Sequence, residues 1–245
     1  MVRGERMGKE MLVINNLTKM YGDVVAVKNL SLSLNEGEIF GFIGPNGAGK
    51  STTIKSIMHL VNKNEGKILV DSKEFVKDDV ETKAIIGYLP SEINLYGDLT
   101  VKQMLDYHES FYKKDIHSRR VELVSKLNLD ENKKIEDLSL GNSKKLGIIL
   151  ALMHEPKILL LDEPTSGLDP IIQQVFYDML REEKKRGTTI LYSTHVLSEI
   201  SKICDRVGII IDGKMALEKP LNEIIKEKSL EDVFFDIYKE NGGII

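Results

Sequence analysis

A glycine-rich segment carries the clearest chemistry in this sequence of 245 residues: Gly44-Pro45-Asn46-Gly47-Ala48-Gly49-Lys50-Ser51-Thr52. It fits the pattern G-x-x-x-x-G-K-[ST], which is typical of a loop that encloses the phosphates of a nucleotide. Glycines let the backbone approach the phosphates, and the amides of the loop and of the following helix attract the anion. Lys50 adds a full positive charge near the β- and γ-phosphates, and Ser51 supplies a hydroxyl for Mg²⁺. We therefore predict a nucleoside triphosphate site over the whole segment.

Two acidic residues, Asp162 and Glu163, follow a short run over residues 157–161 that is wholly apolar after Lys157. Such a run predicts a central strand that is buried on both faces. A carboxylate at the end of this strand can hold Mg²⁺ through water, and we assign that part to Asp162. The next side chain points elsewhere as the chain leaves the strand, so Glu163 can face the attacking water as a general base. The segment predicts hydrolysis of the nucleotide as well as binding.

The elements around these residues alternate between strand-like and helix-like patterns, which predicts an α/β fold of the P-loop type with a mostly parallel sheet. A strand over residues 38–43 leads into the glycine-rich segment. A helix over residues 52–61 follows it, with apolar residues on one face. Residues 188–192 predict another buried strand. This order of strand, loop and helix is the context that supports the phosphate-binding interpretation.

Two parts of the chain lie outside that predicted core. The N-terminal runs 12–14, 24–27 and 30–34 predict short strands of a small antiparallel sheet. A helical pattern with charged residues throughout, over residues 101–129, predicts a helical subdomain that is inserted at about residues 91–155.

The C-terminal part begins with a predicted hairpin over residues 207–218, with a tight turn at Asp212-Gly213. A charged, amphipathic helical tail follows from Leu221 onward. We expect one nucleotide-binding domain over residues 1–220 and the tail over residues 221–245.

The composition fits an ordinary folded chain, with 42% hydrophobic and 29% charged residues. The net charge of −4 lacks the basic excess of nucleic-acid binders, so we predict no nucleic-acid partner. A single cysteine, Cys204, cannot form an internal disulfide, and nothing points to secretion. Residues 1–10 have no apolar run and do not resemble a signal peptide, and no segment approaches the ~18 apolar residues of a membrane helix. If the protein acts at a membrane, other subunits must cross it.

Four further segments resemble motifs of the nucleotide-binding domain of ATP-binding-cassette (ABC) transporters. Leu138-Ser139-Leu140-Gly141-Asn142 is similar to the LSGGQ signature, and Ser166-Gly167-Leu168-Asp169 is similar to the D-loop. Ser193-Thr194-His195, after a strand, resembles the switch histidine, and Tyr21 resembles the aromatic residue that stacks on adenine. The resemblance covers about residues 11–220.

The resemblance implies a head-to-tail dimer in which two ATP molecules are sandwiched at the interface. Ser139 and the Gly141 amide, at a helix N-terminus, would bind the γ-phosphate from the opposite subunit. His195 would contact the same γ-phosphate, and Asp169 would bridge the subunits. Asp169 also precedes a proline, so a simple role as the cap of the next helix stays open.

Two positions depart from the family pattern. Leu140 replaces the first glycine of the signature, and we expect its bulk to weaken the sandwich or slow hydrolysis. Ser91 occupies the usual glutamine position of the Q-loop. Its hydroxyl can reach Mg²⁺ through water, or Glu92 can substitute for it, and the sequence does not decide between them.

The predicted role is the ATP-hydrolysing motor subunit of an ABC transporter, with separate transmembrane permease subunits as partners. The dimer would pair two copies or a paralogous ATPase subunit, at the inner face of the cell membrane. Residues 86–90 and 229–234 resemble bacterial exporters of drugs, lantibiotics or similar cargo. The alternative is a non-transport ABC ATPase, such as one in iron–sulfur assembly or regulation. The 89 residues from Lys50 to Ser139 leave no room for the coiled coil of DNA-repair relatives.

Overall fold

The computed structural model describes residues 8–242 of the chain. In order, the strands are β1 (Glu10–Tyr21), β2 (Val24–Asn35), β3 (Ile39–Ile43), β4 (Glu65–Val70), β5 (Lys73–Glu74), β6 (Ile86–Leu89), β7 (Ile158–Asp162), β8 (Thr189–Thr194), β9 (Arg206–Ile211) and β10 (Lys214–Pro220). The α-helices are α1 (Lys50–Ile57), α2 (Val80–Lys83), α3 (Val101–Glu109), α4 (His117–Leu127), α5 (Leu140–Leu152), α6 (Pro170–Lys185), α7 (Leu197–Ile203), α8 (Leu221–Glu227) and α9 (Leu230–Glu240). The described residues exclude residues 1–7 of the predicted domain 1–220 and residues 243–245 of the predicted tail.

A six-stranded sheet in the order β10-β9-β3-β8-β7-β6 forms the centre of the fold. Strands β3, β6, β7, β8 and β9 run parallel, and β10 pairs antiparallel with β9. Strands β3 and β7 are buried at every position, as their apolar sequences predict. The predicted α/β fold with a mostly parallel sheet is confirmed.

Three strands of this sheet bring the predicted catalytic segments to one edge. Ile43, the last residue of β3, pairs with Thr194, and Asp162, the last residue of β7, pairs with Ser193. The loops that follow the three strands therefore leave the same edge side by side, as ligand-binding loops do in open α/β sheets.

The N-terminal sheet has the order β2-β1-β4-β5 and is antiparallel, as predicted, but its strands were predicted wrongly. Two continuous strands of 12 residues, β1 and β2, replace the three short ones. Asn16 and Asn29 adopt positive φ angles of 53° and 51°, and the pairing shifts register around them. Such bulges let a strand bend without ending.

The helix after the phosphate loop is shorter than predicted, because α1 ends at Ile57 and not at residue 61. His59 adopts the left-handed conformation with φ of 54°, and the Leu60 amide donates to the Lys55 carbonyl at 2.9 Å. This is the pattern of a helix that closes with a left-handed residue. The His59 ring, whose Nε2 lies 3.0 Å from the Phe75 carbonyl oxygen, holds this end in place.

The inserted helical part comprises α3, α4 and α5, which lie between β6 and β7 in the chain. A capping box at Thr100 and Gln103 starts α3, and a short 3₁₀ turn over Ile135–Asp137 precedes α5. Buried residues of these helices belong to the same apolar cluster as β7, so the helical part packs directly on the sheet. The subdomain limits at about 91–155 stay a prediction.

The C-terminal hairpin is confirmed, since Asp212 and Gly213 connect β9 to β10 with positive φ angles of 47° and 75°. The tail forms α8 and α9, and Leu221, Ile224 and Leu230 join the main apolar cluster. Within residues 8–242, no helix is both long enough and apolar enough to cross a membrane.

Candidate active site

The phosphate loop connects β3 to α1 and lines a cavity of about 190 Å³ together with Glu163. Gly49 has a φ of 105°, and a Cβ atom there would meet the Ala26 carbonyl oxygen at 2.5 Å. A Cβ atom at Gly44 would meet the Ile210 carbonyl oxygen at 2.3 Å. Both positions therefore require glycine. The loop is packed against β2 and β9, and the N-terminus of α1 opens into the cavity.

The Lys50 side chain reaches back to the first residues of the phosphate loop. Its Nζ donates to the Gly44 carbonyl at 2.7 Å and to the Pro45 carbonyl at 3.2 Å, and it lies 3.7 Å from Glu163 Oε1. Burial lowers the pKa of Lys50, while the charges of Glu163 and Asp162 oppose that lowering. The side chain is thus a cation held at the floor of the cavity.

Asp162 ends β7 and is fully buried. Its Oδ1 accepts a hydrogen bond from the Ser193 hydroxyl at 3.3 Å. Among residues 8–242, no donor reaches its other oxygen, Oδ2. A buried carboxylate oxygen without a donor is costly unless a cation or an ordered water satisfies it, so this oxygen fits an outer contact to a metal ion.

The backbone of Glu163 is strained, and neighbouring residues contact both its main chain and its carboxylate. Its φ of 48° is unusual for a non-glycine residue, and its amide donates to the Ser193 carbonyl at 3.0 Å. Its Oε2 accepts from Nδ1 of His195 at 2.9 Å, which requires the proton to be on Nδ1. Its Oε1 faces Lys50. The carboxylate therefore lies between the two other predicted catalytic side chains, at the mouth of the phosphate cavity.

A buried carboxylate that was not predicted, Glu199 on α7, organises the segment before His195. It accepts hydrogen bonds from the hydroxyls of Thr165 at 2.5 Å, Thr194 at 2.9 Å and Tyr192 at 3.0 Å. Thr194 Oγ1 also lies 3.3 Å from Glu163 Oε2. A hydroxyl has one hydrogen and donates to one carboxylate at a time, and the shorter distance favours Glu199.

A second unpredicted residue is Lys144, which is 2% exposed on α5. Its ammonium group contacts main-chain carbonyls of the loop after β6 and of Glu163. The sequence held one signal for its burial, because Lys144 lies four residues before Ile148 and seven before Ala151, on the apolar face of the helix.

The signature-like segment is partly exposed, at Ser139 and Leu140. Ser139 caps α5, and Leu140 is 70% exposed. A Cβ atom on Gly167 would meet the Leu140 side chain at 2.8 Å, and one on Gly141 would meet the Gly167 carbonyl oxygen at 3.0 Å. The signature and D-loop of one chain therefore lie in contact with each other. The described lining of the phosphate cavity consists of residues 46–52 and Glu163, so the signature and D-loop contribute nothing to it within one chain.

Other predicted site residues also lie outside that described lining: Tyr21, Gly44, Pro45, Ser91, Asp162 and His195. Asp169 caps α6 by accepting from the amides of the two residues after Pro170, at 3.0 Å each. Tyr21, at the end of β1, is 46% exposed, and the Lys19 ammonium group lies 4.5 Å from its ring centre. The Ser91 carbonyl binds Lys144.

The C-terminal tail reaches the rim of the site. A second cavity, of about 360 Å³, lies between the start of the phosphate loop, His195 and three aromatic side chains of α9. Those side chains are Phe234, Phe235 and Tyr238. The tail is thus a wall of the active-site region and not a separate appendage.

Comparisons with known proteins agree with this geometry. A family model described as "ABC transporter" matches residues 27–166. The linearmycin resistance ATP-binding protein LnrL of Bacillus subtilis is 39% identical over 210 residues, which cover 84% of this chain and 68% of that protein. The lantibiotic transport ATP-binding protein SrtF of Streptococcus pyogenes is 36% identical over 233 residues, which cover 91% of this chain and 96% of the relative.

Solved structures give the same result. The ATP-binding subunit of an ABC transporter superposes with a TM-score of 0.85 at 27% identity, over 93% of this chain and 99% of that one. A dimeric ATP-binding cassette in a post-hydrolysis state, bound to ADP and Pi, superposes with a TM-score of 0.76 at 28% identity, over 86% and 99% of the two chains.

Proposed function

This chain belongs to the ABC transporter family as an ATP-binding subunit with ATPase activity, and we propose how its residues divide that work and with which partners. The observation that carries the proposal is the position of Glu163, 3.7 Å from Lys50 and 2.9 Å from His195 at the mouth of the phosphate cavity. A carboxylate held between a cation and an imidazole beside a phosphate loop is placed to accept a proton from an attacking water.

The proposed chemistry assigns one role to each side chain. The amides of residues 44–52 and the Lys50 ammonium group bind the phosphates of ATP and stabilise the charge that develops on them. Glu163 orients the attacking water and accepts its proton. His195 donates from Nδ1 to Glu163, which holds the carboxylate in place, and its other ring nitrogen can donate to the γ-phosphate when it also carries a proton.

Mg²⁺ fits the residues at this edge of the sheet. The buried Oδ2 of Asp162 has no donor among the described residues, and the Ser51 hydroxyl lines the phosphate cavity. We propose that Ser51 and Asp162 hold the ion, with Ser91 of the loop after β6 as a further ligand through water. When bound, Mg²⁺ neutralises charge on the β- and γ-phosphates.

We propose that a second ATPase subunit completes the site. Ser139 is exposed and Gly141 is half-buried at the start of α5, where a helix N-terminus can bind a phosphate that belongs to another chain. Asp169 is exposed beside them and bridges the subunits, in addition to capping α6. Tyr21 presents a half-exposed ring to adenine. Dimeric relatives support this arrangement, either as a homodimer or with a paralogous subunit.

The proposed cellular role is export through separate transmembrane permease subunits, with the protein bound at the inner face of the cell membrane. The names of the relatives support it, since they refer to linearmycin resistance, bacitracin transport and lantibiotic transport. Affinity purification of the tagged protein from detergent-solubilised membranes tests this role. Recovery of a multi-span protein in stoichiometric amount supports it, and recovery of the ATPase alone contradicts it.

The catalytic assignment is tested with Glu163→Gln. We expect kcat for ATP hydrolysis to fall by roughly 10²- to 10⁴-fold while ATP still binds, because a general base contributes about that factor. ATP should then trap the variant as a dimer in light scattering. Glu227→Gln, on the exposed face of α8, serves as the matched control and should hydrolyse ATP normally. An unchanged kcat for Glu163→Gln would refute the assignment.

A further inference from the structure

The ammonium group of Lys144 connects three parts of the chain that are distant in sequence. Its Nζ lies 3.0 Å from the Ser91 carbonyl oxygen and 3.3 Å from those of Pro90 and Glu163. Lys144 itself belongs to α5, the helix that begins with the signature segment. One side chain thus joins the signature helix, the loop after β6 and the residue proposed as general base.

The bonding capacity of the group matches its surroundings. A lysine ammonium has three hydrogens and no acceptor, and three carbonyl oxygens are available to it. Burial lowers the pKa of Lys144, and the negative charges of Asp162 and Glu163 oppose that lowering. A buried polar group that lost one of these partners would leave an unsatisfied donor or acceptor, so the three contacts are expected to persist together.

The contact with Glu163 is made at a strained point of the backbone. Glu163 has a φ of 48°, a conformation that is unfavourable for a non-glycine residue and persists only where neighbours enforce it. Its amide donates to the Ser193 carbonyl on β8, and its carbonyl accepts from Lys144 and from the Ser166 amide, each at 3.3 Å. Of these three bonds, the one from Lys144 is the only one made by a side chain, and the backbone conformation directs the carboxylate toward Lys50 and His195.

We propose that Lys144 is a positioning residue that holds the strained Glu163 backbone in its catalytic conformation and ties it to the loop at Pro90 and Ser91. The proposal rests on the proposed role of Glu163. Lys144 does not line the phosphate cavity as described, so it acts through Glu163 and not on the nucleotide.

The test compares Lys144→Met with Lys145→Met. Lys145 is the neighbouring lysine on the same helix, and its side chain makes no polar contact with the described residues. We measure kcat for ATP hydrolysis and, separately, the Kd for ATP by titration. For Lys144→Met we expect kcat to fall by roughly 10- to 100-fold with Kd within about twofold of the wild type, since only the chemical step depends on Glu163. Lys145→Met should match the wild type in both. A loss confined to Kd, or equal values for the two variants, would overturn the proposal.

A double mutant separates positioning from a general structural role. If Lys144 acts through Glu163, adding Lys144→Met to Glu163→Gln should lower the single-turnover rate no further. The proposal would be overturned if the single-turnover rate of the double mutant fell by the product of the two single-mutant factors. If Lys144→Met does not fold, Lys144→Arg decides in the same way. It keeps the charge but not the three-donor geometry, so a lower kcat at unchanged Kd supports the role and a wild-type kcat contradicts it. Should Glu163→Gln alone retain full kcat, the proposed function fails, whatever Lys144→Met shows.

Discussion

His154 should make the stability of this protein fall steeply in mild acid. The residue follows α5 and is 7% exposed, and its Nε2 lies 3.2 Å from the Ile86 carbonyl oxygen. Its ring stacks on Tyr112 with centres 4.8 Å apart, and the ring of His108 lies 5.9 Å away. Burial and the neighbouring His108 lower the pKa of His154 from 6.5 to about 4. A second proton would bind at Nδ1, and no donor or acceptor among the described residues pairs with that atom.

The sign and size of the effect follow from proton linkage. Because the folded pKa of His154 is lower than the unfolded one, the unfolded chain binds the proton more readily as the pH falls. The contribution of His154 to the stability is therefore fully present above pH 6.5, and it is lost progressively as the pH falls to about 4. Its full size is roughly 3 kcal/mol, and the part lost between pH 7.5 and pH 5 is about 2 kcal/mol.

The assay is urea denaturation at pH 7.5 and at pH 5, with His154→Gln and the exposed control His117→Gln beside the wild type. Glutamine can still donate to the Ile86 carbonyl, but it does not titrate. We expect the free energy of unfolding of His154→Gln to fall with pH by about 2 kcal/mol less than that of the wild type, and His117→Gln to follow the wild type. Equal losses for His154→Gln and the wild type would show that the pH dependence comes from carboxylates or His108, which titrate in both, and not from His154.

Two more predictions concern residues around the site. Glu199→Ala should lower the free energy of unfolding by about 3–5 kcal/mol in urea denaturation, because it orphans three buried hydroxyls and opens a cavity, and Glu199→Gln should cost less. A loss under about 1 kcal/mol for Glu199→Ala would mean that the hydroxyls find other partners. Leu140→Gly should tighten ATP-dependent dimerisation in light scattering and raise kcat, because an exposed bulky side chain leaves the signature. Weaker dimerisation would instead assign Leu140 a favourable contact with the partner.

Much of the site was predictable because its chemistry lies in consecutive residues. The phosphate loop and the Asp162-Glu163 pair each join a recognisable strand to polar residues with predicted roles, and parallel strands of one sheet bring them to the same edge. His195 was predictable in the same way, because it directly follows the last residue of β8. Local patterns of this kind survive folding because the backbone alone sets the geometry.

The errors and omissions involve contacts that are distant in sequence. Asn16 bends a strand without ending it, and its amide donates to the Ser31 hydroxyl. His59 closes α1 early, and its ring contacts the Phe75 carbonyl. Glu199 and Lys144 were missed because a charged residue in a helix is normally exposed. Each is buried here only because carbonyls or hydroxyls from other segments surround it.

Helix α5 connects the two halves of the proposed reaction. Its N-terminus carries Ser139, proposed to bind ATP on the partner subunit, and Lys144 lies five residues further on, about 7.5 Å along the axis. A helix of this length moves as a rigid unit, so a displacement of its N-terminus toward a phosphate also displaces the ammonium group that holds Glu163. In the proposed dimer, we therefore expect closure of the sandwich on one ATP to adjust the base that is proposed to hydrolyse the other. The loop at Ser91 shares the same ammonium group, so a permease that moved this loop would act on Glu163 through the same contact.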